Sequence, residues 1–356
     1  MTTITVPPSP LSPDEDANKL RKAFQGLGTD EKTVIEILSH RSAGQRLAIA
    51  KAYAHLYGES LLERLHSELS GDFRKAVMLW TMDPAERDAK LANKALKRKG
   101  DRDLWVIIEV ACASSPDHLV AVRKAYCSLY SSSMEEEVAQ SFSTVHPLSK
   151  LLVRLLTSYR YSGDHVDSEL AKYEAAQLSD AVKSNQIGRD DVIRILSSRN
   201  KSQLKETFKY YNENYGKHIV EGKHQCKTPR PKWMAAKTTL SPTRGQIGSD
   251  GSGKKAPADI EVIDKSQFTT LLKTAIWCLA SPENHFAEVV RTSVVGLGTD
   301  EDSLTRAIVT RAEIDLEKIK EEYKIRYKTT LRADVIGDTS GDYKRFLLAL
   351  VGSEGP

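Results

Sequence analysis

After Thr29 the apolar side chains fall in groups: Val34, Ile35, Ile37 and Leu38; then Leu47, Ile49 and Ala50; then Leu61, Leu62 and Leu65; then Ala76, Val77 and Leu79. Spacings of one, three and four residues put each group on one face of a short amphipathic helix, with Gly or small polar residues between the groups. Proline usage agrees with a helical body. Four of the thirteen prolines lie in the first thirteen residues and four more between Pro229 and Pro257, so that only Pro84, Pro116, Pro147 and Pro282 interrupt the rest before Pro356. Proline is nearly excluded from helix interiors, and this distribution predicts an all-α protein. Asp83-Pro84, Ser115-Pro116 and Ser281-Pro282 each read as an N-cap followed by proline at the first helical position. Ser12-Pro13 repeats the device, with Glu15 placed to complete a capping box.

The pattern then repeats. Tyr-x-x-x-Tyr occurs at Tyr53/Tyr57, Tyr126/Tyr130, Tyr211/Tyr215 and Tyr323/Tyr327. Twelve residues before the first Tyr of three copies stands an Arg (Arg41, Arg199, Arg311), each closing an apolar helical run; the second copy has Ser114 there. The string GLGTDE occurs at Gly26–Glu31 and again at Gly296–Glu301. A unit of about 70 residues therefore recurs four times. The predicted boundaries are 13–83, 84–160, 165–280 and 281–352, after a flexible stretch over 1–12. The tyrosine pairs are expected to fill the core of each unit.

Charge changes the picture in one place. The overall +4 hides a local +7 between Lys223 and Ala258, where eight Lys or Arg face the single acid Asp250; the remainder carries −3. That segment is rich in Pro, Gly, Ser and Lys without periodicity, and reads as a disordered basic insertion (223–258) inside the third unit. The slightly acidic body makes no case for nucleic acid as a partner. Cys112, Cys127, Cys226 and Cys278 are far apart with no CxxC pair, no secretory h-region follows Met1, and no run is long enough for a membrane span. The expectation is a cytoplasmic protein with free thiols.

The glycines of GLGT allow positive φ angles, which can turn carbonyl oxygens toward one point. Thr29 or Thr299 then reads as the cap of the next helix, with acids at its N-terminus. Carbonyls suit Ca²⁺, but the ion also wants a carboxylate. At one fixed distance, 42 residues after the first glycine, stand Glu68 and Asp338, each followed by Ser-Gly-Asp-aromatic (Ser70–Phe73 and Ser340–Tyr343). The other units lack this pairing. The second reads LKRKGDR at Leu96–Arg102, with no acid in Gln140–Thr144. The third has SNQIG at Ser184–Gly188, and its aligned position Ile263 lies between Glu261 and Asp264. Two working sites of four are expected.

With its four repeats, GLGTD loops and distal acids, the chain resembles the annexin family over nearly its whole length. His40, Cys112 in VACASS and Cys278 in IWCLASPE resemble the plant branch. The resemblance implies five helices per repeat, a right-handed superhelix, a curved disc, and Ca²⁺ loops on its convex face. It implies carbonyl ligands from Phe24, Gly26 and Gly28 with the Glu68 carboxylate, and from Val294, Gly296 and Gly298 with Asp338. Thr29 with Glu31 and Thr299 with Glu301 are auxiliary positions. The implied function is non-enzymatic, reversible, calcium-dependent binding to anionic phospholipid membranes; oligomeric state is left open. Family members often place a Trp or Met near the first loop; here Leu27 is aliphatic, and the exposure of Phe24 is left open.

Competing readings attach to single motifs. In the plant branch His40 suggests a peroxidase, Cys112 with Cys278 a redox pair, and Asp338–Gly341 (DTSG) a GTP motif. Ile193-Arg194-Ile195 matches a tripeptide proposed for actin binding, and annexin repeats surround a polar channel that suggests an ion-conducting assembly. Gly248–Lys254 nearly matches a phosphate loop, but Lys255 stands where Ser or Thr belongs and no strand precedes it. The basic insertion reads either as a passenger or as a loop lying on anionic lipid.

Overall fold

The helix starts follow from the caps. In the computed structural model, which describes residues 1–26, 28–98, 100–142, 147–215, 265–296 and 298–354, Ser12 and Glu15 exchange the two hydrogen bonds of a capping box. The Asp83 carboxylate accepts from the Ala85 and Glu86 amides, and the Ser115 hydroxyl oxygen accepts from the His118 amide. Ser281 precedes Pro282 as expected, but its side chain makes no capping bond.

Among the described residues there are nineteen helices and no strand. The first repeat holds α1 (Pro13–Ala23), α2 (Glu31–Leu38), α3 (Ala43–Tyr57), α4 (Leu61–Glu68) and α5 (Gly71–Thr81). The second holds α6 (Pro84–Arg98), α7 (Asp101–Ala113), α8 (Pro116–Tyr130), α9 (Met134–Ser141) and α10 (Pro147–Thr157). The third holds α11 (Ser168–Lys183), α12 (Asp190–Ser198), α13 (Lys201–Tyr215) and α14 (Lys265–Ala280). The fourth holds α15 (Pro282–Val294), α16 (Glu301–Arg311), α17 (Leu316–Tyr327), α18 (Leu331–Asp338) and α19 (Gly341–Val351). The place where the other repeats carry their fourth helix falls, in the third, within 216–264. That stretch, and with it the expected basic insertion, lies outside the described residues.

Within each repeat the first and third helices pack together: α1 on α3, α6 on α8, α11 on α13, α15 on α17. The tyrosine pairs sit on the third helix. The first ring of each pair (Tyr53, Tyr126, Tyr211, Tyr323) is buried, and the second is partly buried against the core. The i,i+4 spacing makes these rings neighbours, with centroids 4.9 to 5.5 Å apart.

In two repeats the recurring arginine ties the first helix to the end of the second. Arg41 makes a buried two-point ion pair with Asp16 (2.7 and 2.9 Å), and Arg199 pairs with buried Glu174. Arg311 differs: the aligned residue on α15 is Phe286, so Arg311 stacks over that ring and pairs with Asp315 instead. In the second repeat, where Ser114 replaces the arginine, the partner position is buried Ala89.

Between repeats the second and fifth helices form the contacts. Helix α5 packs on α16 and α19, and α19 also packs on α2; correspondingly α14 packs on α7 and α10 on α12. The first repeat is therefore joined to the fourth, and the second to the third. Arg46 reinforces the first junction by stacking over Trp80 and pairing with Glu313. Within the stretch 1–12, Thr3 is buried and bonded to the fourth repeat through Ala312 and Leu350.

Candidate metal centre

Each GLGT turn links the first helix of its repeat to the second. It is closed by one backbone bond, Asp30 N–H to the Ala23 carbonyl (2.9 Å) and Asp300 N–H to the Ser293 carbonyl (2.8 Å). Inside the turn Gly26 and Gly28 have φ of 121° and 90°, and Gly296 and Gly298 of 152° and 82°. A Cβ at any of these would meet nothing within 4 Å. Backbone conformation rather than crowding thus requires glycine. Leu27 and Leu297 lie outside the described residues.

The structure answers the open question about Phe24. Its ring is buried edge-on against Tyr53, leaving its carbonyl as the group available at the loop. Val294 is buried in the same way.

Thr29 and Thr299 do not cap the following helices, contrary to the sequence expectation. Asp30 and Asp300 do, accepting from the amides of Thr33 (3.1 Å) and Ser303 (3.2 Å). The Thr33 hydroxyl and amide hold the Asp30 carboxyl below its ordinary range. A carboxylate one residue nearer the helix outcompetes the threonine hydroxyl for the free amides. That releases the threonines to reach the distal acids. Thr29 Oγ1 donates to Glu68 Oε2 (2.8 Å) and to the Glu68 carbonyl (3.3 Å); Thr299 Oγ1 donates to the Asp338 carbonyl (2.9 Å). In both repeats the turn and the distal acid, far apart in sequence, are thereby brought together.

The two copies differ at their acids. Glu68 Oε1 is 2.8 Å from Arg64 Nη2, one turn earlier on α4, and the same nitrogen donates to the Phe24 carbonyl (3.1 Å). In the fourth repeat Asp334 holds the place of Arg64. It is drawn away to Arg291 and Tyr323 (2.5 Å each). Asp338 Oδ2 is left buried with no hydrogen-bond partner. A buried carboxylate oxygen without a donor is costly unless a cation completes it, so the all-oxygen donor set of this loop fits Ca²⁺. Among the described residues no cluster of three or more His, Cys, Asp or Glu is placed to hold a metal. Backbone oxygens would therefore have to supply much of the coordination.

Because α5 packs on α19, the two acids face a common cleft of about 340 Å³. Its lining brings Glu31, Glu68 and Asp72 from the first repeat together with Thr299, Glu301, Asp338 and Asp342 from the fourth. Sequence reasoning found each set but not their adjacency, which depends on a helix contact across the whole length of the chain. Its only sequence trace is the matching Ser-Gly-Asp-aromatic string after each acid.

The loops of the middle repeats are different. The second presents Lys97 and Arg98 at the end of α6, and α7 begins after Gly100 without a side-chain cap; Ser141 stands where the acid would be. In the third, Asn185 takes the left-handed conformation (φ 55°), and the Gln186 amide bonds to the Ala181 carbonyl (2.8 Å) in a tight turn. Glu261, Ile263 and Asp264 lie outside the described residues, as does Gly248–Lys254.

The residues behind the competing readings also have definite places. His40 Nδ1, just past the end of α2, lies 2.9 Å from the Glu36 carbonyl of that helix and 3.0 Å from Ser39 Oγ. Cys112 and Cys278 are buried free thiols. Burial pushes Cys112 up to about 11 and Cys278 well above the usual thiol range, opposite to the direction a reactive thiolate requires. Ile193 and Ile195 are fully buried core residues of α12.

Comparison with known proteins places the chain. The annexin family model matches residues 15–80, 87–146, 173–222 and 285–350. Annexin D3 of Arabidopsis thaliana is 46% identical, over 99% of this chain and 100% of that protein. Among solved structures, annexin III superposes with a TM-score of 0.79 at 29% identity, covering 99% of this chain and 98% of that one. Calcium-bound annexin (Sm)1 superposes with a TM-score of 0.74 at 25% identity, covering 100% and 94%.

Proposed function

The chain belongs to the annexin family, membership of which implies calcium-dependent phospholipid binding, and from that premise we propose that it binds anionic membranes peripherally through the loops of its first and fourth repeats. The carbonyls of Phe24, Gly26 and Gly28 with the Glu68 carboxylate would hold one ion, and those of Val294, Gly296 and Gly298 with Asp338 the other. Ca²⁺ takes six to eight oxygens, so a loop supplying about five leaves positions for lipid phosphoryl or carboxyl groups. The observation carrying this reading is the buried, unpartnered Oδ2 of Asp338 beside a glycine turn.

The protein's own residues do the positioning. The glycines hold the turn, Asp30 and Asp300 fix its exit into the next helix, and Thr29 and Thr299 hold the distal acid segment against it. No described helix is long and apolar enough to cross a membrane, which suits attachment at the surface. The role is binding without turnover: His40 is engaged by the end of the preceding helix, and Asp338 serves as a cation ligand rather than in a GTP motif.

The test is co-sedimentation with phosphatidylserine vesicles, in calcium and in chelator, for wild type, Glu68→Gln, Asp338→Asn and the double variant. Calcium should drive wild type onto vesicles, chelator should release it, and the double variant should stay in the supernatant. Binding indifferent to calcium would defeat the proposal. Steady-state peroxidase or nucleotide turnover that persists in chelator and is lost in His40→Ala would defeat the non-enzymatic part.

A further inference from the structure

The two calcium loops share sequence and turn geometry, yet one already contains a positive charge. We propose that Arg64 is a tethered cation that occupies the first site and competes with calcium for it, so that the fourth site fills at lower calcium and the first only after Arg64 is displaced. This inference rests on the reading of both loops as calcium sites.

The geometry is specific. A single nitrogen, Arg64 Nη2, contacts two of the groups assigned to the first ion, the Phe24 carbonyl (3.1 Å) and Glu68 Oε1 (2.8 Å). Thr29 satisfies the other Glu68 oxygen. Both oxygens of that carboxylate are thus engaged without a metal, and the guanidinium supplies the positive charge a cation would bring. The Arg64 side chain is only partly exposed; its Nη2 is held by the acid and the carbonyl, while its Nε is buried without a partner.

In the fourth repeat the arginine of this latch is missing. Position 334 is an acid, and it points to Arg291, Tyr323 and Thr329. Thr299 reaches only the backbone of Asp338, whose Oδ2 remains bare and buried. Calcium entering the fourth loop meets an unpaired carboxylate oxygen. Calcium entering the first must break a charge-assisted pair. Hydrogen bonds to charged groups are strong enough for such competition to shift apparent affinity roughly tenfold.

The predicted order also says what the latch does. At low calcium the protein would attach through its fourth repeat alone. A further rise would release Arg64 and engage the first loop, whose acid Glu68 faces the same cleft as Asp338, turning one-point attachment into two-point attachment.

The decisive experiment isolates the first site. Asp338→Asn serves as the parent, and Arg64→Ala and Arg64→Gln are added to it; Gln keeps an amide donor should alanine unsettle α4. The calcium midpoint for binding to phosphatidylserine vesicles is measured on the full chain, together with isothermal titration of calcium without lipid and a thermal melt to verify folding. Removing Arg64 should lower the midpoint of the parent about tenfold and tighten calcium binding in the lipid-free titration. In wild type, the tighter of two phases should vanish with Asp338→Asn and the weaker with Glu68→Gln. An unchanged midpoint in folded Arg64 variants would overturn the inference while leaving the two-site reading intact. A raised midpoint would overturn it too, making Arg64 a support for Glu68 or for lipid. A wild type that binds no calcium would remove the underlying reading as well, and is recognisable because no variant would then matter.

Discussion

The first and fourth repeats are built like the second and third. In each, the first helix packs on the third, one tyrosine of an i,i+4 pair is buried, and the second and fifth helices join it to a neighbouring repeat. They differ in a few loop positions. Gly26, Gly28 and Glu68, or Gly296, Gly298 and Asp338, are replaced in the second repeat by a basic stretch and Ser141, and in the third by a tight turn around Asn185. Packing and site are therefore separable. The core residues specify a helical unit whether or not it carries a glycine turn, and the proposed site rides on a connection that packing leaves free.

The largest effect should come from the packing side. Asp16 is buried against Arg41, and Asp16→Ala would strand a buried arginine, costing about 3 to 5 kcal/mol in urea denaturation. Adding Arg41→Ser reproduces the Ala89 and Ser114 combination of the second repeat and should recover most of that loss. Failure to recover would mean that the second repeat is stabilised differently.

Next comes the site. Neutralising Glu68 and Asp338 together should raise the calcium needed for vesicle binding by about a hundredfold or more, with the melting temperature scarcely moved. Ser141→Ala, at the equivalent position of the silent second repeat, should leave the calcium midpoint where it was. A shift there would contradict the assignment of two sites.

A smaller, pH-dependent effect tests the junction between the fourth repeat and the second. His285 of α15 is buried 2.8 Å from Glu109 of α7, which also pairs with Arg306. Burial holds His285 neutral, well below the ordinary histidine value of 6.5, and Arg306 already balances Glu109, so a second cation would be uncompensated. The unfolded chain takes up a proton below that value while the folded chain does not. Stability should be full above about pH 6.5 and fall as pH drops, by about 2 kcal/mol between pH 7 and 5. His285→Gln should flatten that slope in denaturation curves.

The smallest effect concerns the turn itself. Gly298→Ala forces a left-handed residue to carry a Cβ and should cost about 1 kcal/mol, with a modest rise in the calcium midpoint. If it costs nothing, the loop relaxes more easily than its φ angles imply.

Much of this was legible in advance because local rules decide it. Helix starts at Ser12, Asp83 and Ser115 follow from capping chemistry, and the buried tyrosines from i,i+4 spacing. Glu68 and Asp338 could be picked out as the acids that meet the glycine turns because each stands at the same distance from its turn in both repeats. The roles of Thr29 and Asp30 were misread, because two adjacent capping residues compete for the same amides and only geometry shows which wins. The exchange of Asp16 for Ala89 when Arg41 becomes Ser114 is visible in the aligned repeats, but it acquires meaning only once the pair is seen to be buried.

By itself, then, the sequence determined the helical repeat, its number, and which copies carry a glycine turn with a distal acid, since all of these are periodic or local. Tertiary structure alone decided that the two distal acids face one acidic cleft, that Arg64 is latched onto the first while Asp338 is left bare in the fourth, and that His285 is buried between repeats. Each of these depends on which helices meet and at what distance, and side-chain partners separated by tens or hundreds of residues leave no period to read.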